Sequence, residues 1–203
     1  MELEKRTNLL QHLNRYLTLE PPPLTAAIEM ASISNPWFTP EFIRQSIKAI
    51  SSQMLDPEKL NAWISHYCVD DNIIPKKVGI VMAGNIPLVG FHDLLCVFAG
   101  GHYAYIKPSS KDQILLKHVI DFMHEKDPAS VPYLRIVEKL NDCDAIIATG
   151  NNQSADLFTS YFSHLPHIIR RNRTSVAVIQ GNETAKELEQ LADDVPVSYT
   201  HLR

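Results

Sequence analysis

Val78-Gly-Ile-Val-Met-Ala-Gly-Asn-Ile-Pro-Leu-Val-Gly90 runs from an apolar strand through a turn bearing Gly84, Asn85 and Pro87 into a helical pattern. A short β-branched run that ends on glycine and gives way to a helix is the first half of a βαβ unit. Proline tolerates the first helical position, so the spacing predicts a helix over 87–99, closed by Gly100-Gly101. At the carboxyl end of a parallel strand the next helix presents its N-H groups and its positive dipole end, and such junctions bind anionic ligands. No G-x-G-x-x-G follows any strand, so the ordinary dinucleotide fingerprint is absent and a different nucleotide-binding variant is required.

Outward from this unit the same texture continues. Strands are expected over 79–83, 104–107, 134–137, 145–149 and 175–179, with helices over 111–124 and 154–163 between them. Right-handed crossovers would place these helices on both faces of one parallel sheet, so the fold class is α/β, doubly wound. A last helix over 183–192 has Asn182 or Thr184 as its cap. Upstream, residues 1–74 read as helices broken by proline, over 2–19 and 24–32, then from Pro40 to about 54 behind an N-cap at Thr39, then from Asp56 to about 67. The expected division is a helical region over 1–74, a nucleotide-binding domain over 75–194 and a tail over 195–203. In that tail Pro196-Val-Ser-Tyr-Thr-His-Leu202 has no periodicity and looks like translated adapter read-through.

Composition bounds the function. The 203 residues are 45% hydrophobic and carry a formal net charge of -4, which gives no electrostatic reason to expect nucleic acid or an anionic membrane surface as partner. The three cysteines, Cys68, Cys96 and Cys143, show no CxxC spacing, so neither a disulfide framework nor a zinc ribbon is indicated. Without an apolar leader or a run of about 18 apolar residues, the sequence reads as soluble and cytoplasmic. His164 and His167 lack a third ligand at zinc spacing, and no metal is expected. His92 can face the cleft or a neighbouring helix. Arg170, Arg171 and Arg173 read as a solvated rim, with a phosphate clamp as the alternative.

Gly84-Asn85-Ile86-Pro87, then Lys107-Pro108-Ser109, then Ala148-Thr149-Gly150-Asn151 resemble, in order and spacing, the motifs of the aldehyde dehydrogenase superfamily. The wording around them, Gly-Ile-Val-Met-Ala-Gly-Asn-Ile-Pro-Leu-Val-Gly-Phe-His-Asp and Ile-Ile-Arg-Arg-Asn-Arg-Thr-Ser-Val-Ala-Val, is similar to the LuxC-like acyl-CoA reductases over about 75–194. The resemblance implies that Asn85 donates to the oxyanion of a thioester adduct. It implies that Lys107 bonds the adenosine ribose, with Ser109 and Ser110 beside it, and that Thr149, Gly150 and Asn151 line the cofactor pyrophosphate. A fatty acyl-CoA would be reduced to the aldehyde: a cysteine thiolate attacks the thioester, CoA leaves, hydride is transferred and the thiohemiacetal collapses. Homo-oligomers would be expected of the full-length family member.

Two departures from aldehyde-oxidising relatives refine this reading. Many NAD-preferring members carry a glutamate where Ser110 stands, so Ser109-Ser110-Lys111 points to NADPH over NADH. Ile168-Ile-Arg-Arg-Asn-Arg-Thr174 replaces a Glu-Leu-Gly-Gly whose glutamate activates a deacylating water, which a reductase does not need. The nucleophile's Gly-Cys-Arg-Asn motif is absent from the sequence, and Cys96, inside an apolar helical pattern, reads as a structural thiol. This is therefore expected to be a fragment inactive alone, lacking the catalytic cysteine. The other class left open is a non-catalytic nucleotide-binding or interaction module with the same fold.

Overall fold

The computed structural model describes residues 1–71, 73–173 and 176–199. Four helices come first: α1 (Leu3–Leu19), α2 (Pro22–Ser34), α3 (Pro40–Ala49) and α4 (Pro57–His66). The predicted caps are in place. Thr39 accepts from the Phe42 N-H and Asp56 from the Lys59 N-H. A π-helical turn, Ile50–Met54, continues α3.

The rest alternates: β1 (Lys77–Val81), α5 (Phe91–Ala99), β2 (Tyr103–Lys107), α6 (Gln113–Lys126), β3 (Leu134–Ile136), β4 (Ala145–Thr149), α7 (Asn152–Phe162), β5 (His167–Arg170) and α8 (Ala185–Tyr199). All the strand pairs are parallel, in the order β3-β2-β1-β4-β5. The chain steps one way from β1 to β3 and the other way from β4 to β5. Constant crossover handedness therefore puts α5 and α6 on one face and α7 on the opposite one.

Period-two alternation sorts the side chains accordingly. Val78, Ile80, Ala104 and Ile106 enter the main core with α5, α6 and the N-terminal helices. Val81, Tyr105, Ile146 and Ala148 meet Phe158 and Phe162 of α7 in a smaller cluster. The N-terminal helices thus close over the α5–α6 layer. Arg6 of α1, fully buried, anchors them by donating to the Ala99 and Asp70 carbonyls.

Two expectations are corrected here. The fifth strand is His167–Arg170, in register with Ile146–Thr149 of β4. In the predicted strand at 175–179, residue 175 lies outside the described residues, and 176–179 are exposed and not in a strand. A β-branched run becomes a strand only where an edge accepts it, and Ile168-Ile169 reaches the β4 edge first. The last helix also outruns its prediction, continuing to Tyr199 rather than ending at 192. Helical hydrogen bonds are local and do not stop where the apolar periodicity stops. Thr184 and Glu187 form its capping box, each side chain bonded to the other's backbone N-H. The remainder of the predicted tail, 200–203, lies outside the described residues. Among the described residues no helix is long and apolar enough to cross a membrane.

Candidate functional site

The strand order reverses between β1 and β4, and in open parallel sheets the crevice at that reversal, outside the carboxyl ends of the strands, is where ligands bind. The structure brings the sequence-predicted segments to this edge: 82–90 leaves β1, 107–112 leaves β2 and 149–151 leaves β4.

The segment after β1 is not helical where expected. α5 begins at Phe91 instead of Pro87, because Leu88 sits in the left-handed region with φ 56° and a right-handed helix cannot pass through it. Asn85 is half-buried on the resulting turn. Two side chains hold the turn from outside. Ser46 of α3 donates its hydroxyl to the Pro87 carbonyl at 2.6 Å, and the Leu88 N-H donates to Asp112 Oδ2 at 2.6 Å.

Gly84 is required by close approach. A Cβ there would lie 2.4 Å from Ser109 Oγ and 2.5 Å from Ser109 Cβ, so the turns after β1 and β2 touch through the missing side chain. Ser109 is too short to swing aside, and Gly84→Ala is expected to cost about 1–3 kcal/mol by overpacking. Urea denaturation measures it, and a loss under about 0.5 kcal/mol would contradict the contact.

Lys107 is exposed and donates Nζ to the Glu138 carbonyl at 2.8 Å, just beyond β3. Ser109 accepts from the Lys111 N-H, Ser110 is exposed, and neither 109 nor 110 offers a carboxylate. On the other side of β1, the Asn151 side chain caps α7 by accepting from the Ser154 N-H at 2.8 Å. The Gly150 N-H is tied to the Arg170 carbonyl at 3.2 Å, with Thr149 closing β4 beside it. The helix N-terminus after Asn151 favours negative charge.

Sequence reasoning missed two carboxylates. Asp112 is buried, and burial pushes its pKa up to about 7 against the opposing effect of the Leu88 N-H. Asp93, in the first turn of α5, accepts from Arg170 Nη1 at 2.6 and 2.8 Å. Arg170 is thus no solvated rim. Its partner lies 77 residues away, a distance no local pattern spans. Arg171 pairs with Asp156 at 2.7 Å, and Arg173 is exposed. His92 points outward along its own helix, with the Cys96 Sγ 3.7 Å from its Nε2.

Neither Cys96 nor Cys143 is set up as a nucleophile. Burial, then Asp93, raises the Cys96 pKa, and burial, then Asp144, raises that of Cys143, whereas a reactive thiol needs its pKa lowered. Cys68 is exposed at the end of α4. Among the described residues no three His, Cys, Asp or Glu side chains gather as a metal-ligand group.

No family model matches the chain, and neither does any curated protein. Solved structures do. The NAD+ complex of an aldehyde dehydrogenase from Bacillus cereus matches 99% of this chain with TM-score 0.69 at 15% identity, over 45% of its own length. GapN, a glyceraldehyde-3-phosphate dehydrogenase from Methanocaldococcus jannaschii complexed with NADP, matches 85% with TM-score 0.62 at 15% identity, over 42% of its length. A propionaldehyde dehydrogenase from the Clostridium phytofermentans fucose utilisation microcompartment matches 84% with TM-score 0.62 at 10% identity, over 43% of its length. The chain therefore spans less than half of each of these proteins. At such identities the likeness speaks of fold, and the fold shared with these structures is a doubly wound parallel sheet preceded by helices.

Proposed function

We propose that this chain is the nucleotide-binding part of an acyl-CoA reductase that uses NADPH to reduce a fatty acyl-CoA thioester to the aldehyde through a cysteine acyl-enzyme. The observation that carries the reading is the meeting of the Asn85 turn, the Lys107–Ser110 turn and the Thr149–Asn151 turn at the point where the strand order reverses. Solved structures of similar architecture bind NAD+ or NADP, which supports a nicotinamide cofactor without choosing between the two.

The residues fit such a group. Lys107, exposed and held at its Nζ by a single carbonyl, would meet the ribose with Ser109 and Ser110, where the absence of a carboxylate leaves room for a 2'-phosphate. Thr149, Gly150 and Asn151 would hold the pyrophosphate at the α7 N-terminus. The cofactor supplies the hydride that takes the thioester carbon to the aldehyde level. Asn85, a neutral amide on a fixed turn, would donate to the oxygen that becomes negative as the thioester is attacked. The attacking thiolate is assigned to a cysteine other than Cys68, Cys96 and Cys143. The whole enzyme is read as cytoplasmic and homo-oligomeric.

Fluorescence titration of both reduced cofactors tests the assignment. NADPH should bind about tenfold more tightly than NADH, a difference of about 1.4 kcal/mol, and tighter NADH would overturn the preference. With acyl-CoA added, the 203-residue chain should oxidise no NADPH. Thioester-dependent oxidation would return the nucleophile to one of its own cysteines.

A further inference from the structure

We propose that Asp112 is a positioning residue for the Asn85 turn: buried at the start of α6, it takes the Leu88 N-H and holds Leu88 in the left-handed conformation that shapes residues 84–90. The proposal rests on the reading of that turn as the one presenting Asn85 to the reacting oxygen.

The geometry is specific. A non-glycine residue in the left-handed region costs about 1–2 kcal/mol and persists only where its surroundings over-determine it. Leu88 has a buried side chain, and the Phe91 N-H donates to its carbonyl. Its own N-H points into Asp112. The Ser46 hydroxyl fixes the preceding Pro87 carbonyl from the opposite side, so two consecutive backbone groups are held by side chains from two different helical segments.

Asp112 has no local role that would explain it. It stands at the N-cap position of α6 but makes no side-chain cap bond, and its Oδ1 is buried with no partner among the described residues. A carboxyl buried with one oxygen unmatched is a cost to the fold, and what its other oxygen secures is the Leu88 N-H. The small cavity that Asp112 lines is bounded, Lys111 apart, by uncharged residues: Ala31 and Ser34 of α2, and Ser110, Gln113 and Ile114 of its own segment; the turn 84–90 has no ionisable residue. Lys111, the adjacent cation, is exposed. The raised pKa of Asp112 gives the clamp a readable proton.

Amide exchange and NMR titration of the labelled 203-residue chain test the clamp without nucleotide. In Asp112→Ala the Leu88 amide should exchange about tenfold faster, the upper end of the loss expected for one hydrogen bond. The Ile80 amide in β1 should stay unchanged and the Asn85 side-chain amide resonances should move. Asp112→Asn keeps an acceptor oxygen and should restore wild-type exchange. In the unaltered chain the Leu88 amide proton should titrate together with the Asp112 carboxyl carbon. Unchanged Leu88 protection in Asp112→Ala, or loss shared equally with Ile80, would overturn the proposal. Should Asp112→Ala fail to fold, a Leu88 resonance indifferent to the Asp112 titration overturns it equally. Failure of NADPH to bind would count against the functional reading and leave the Asp112 clamp standing.

Discussion

Replacing Asp112 with asparagine is expected to stabilise the protein at pH 8 by about 2–4 kcal/mol and to leave it nearly unchanged at pH 4. The carboxyl is held at about 7 in the folded chain against an ordinary 3.8, because burial penalises its charged form. Below pH 4 it is protonated in both states and contributes no penalty. As pH rises from 4 to 7 the unfolded chain releases this proton first, so stability falls, and above 7 the whole cost is present. A displacement of that size corresponds to about 4 kcal/mol at most, which relaxation around the site reduces. Asparagine keeps a carbonyl oxygen for the Leu88 N-H and carries no charge at any pH. Chemical denaturation of both proteins across pH 4–8 measures the divergence. A difference that stays flat with pH, or an Asp112→Asn protein less stable at pH 8, would contradict it.

The contrast between this stabilisation and the positioning role is informative. Asp112 combines two opposed effects: burial penalises its carboxylate, and the same side chain bonds the Leu88 N-H of the turn carrying Asn85. Sites that break local rules in this way are where function is expected.

The sheet was legible because its strands are short apolar runs, two of them ended by Pro108 and Gly150: 104–107, 134–137 and 145–149 were placed to within a residue or so of their observed limits. Helix starts announced by a cap and a proline, at Thr39-Pro40 and Asp56-Pro57, were equally readable. The Pro87 signal failed because long-range bonds to Ser46 and Asp112 impose a left-handed Leu88 on the sequence that would otherwise begin a helix. β5 was hidden because only two apolar residues, Ile168 and Ile169, stand between His167 and Arg170, while residues 176–179 of the stronger pattern are exposed and not in a strand. The three predicted turns of the site came together since each ends a strand of one parallel sheet. The carboxylates that brace them did not show, since Asp93 and Asp112 act on residues 77 and 24 positions away.

The Asp93–Arg170 pair should show the second large effect, and it should be asymmetric. The Asp93 side chain is 9% exposed and that of Arg170 is 30% exposed. Removing the guanidinium leaves the Asp93 carboxylate facing the exposed His92 ring at 3.7 Å in place of a fixed cation, and losses run to about 3–5 kcal/mol when one partner of a buried pair is deleted. Partial exposure of Arg170 and the favourable dipole at the α5 N-terminus reduce this, so Arg170→Met is expected to cost about 2–3 kcal/mol. Asp93→Asn leaves a cation that can turn to water and should cost about half as much. The double variant should be more stable than Arg170→Met alone, since it no longer buries an unpaired charge. Because the Gly150 N-H bonds the Arg170 carbonyl, the same substitution should loosen the Thr149–Asn151 turn, read as faster exchange at Gly150. Costs that simply add in the double variant, or an Arg170→Met loss under about 0.5 kcal/mol, would show that the pair is a surface ion pair and not the brace between α5 and the end of β5.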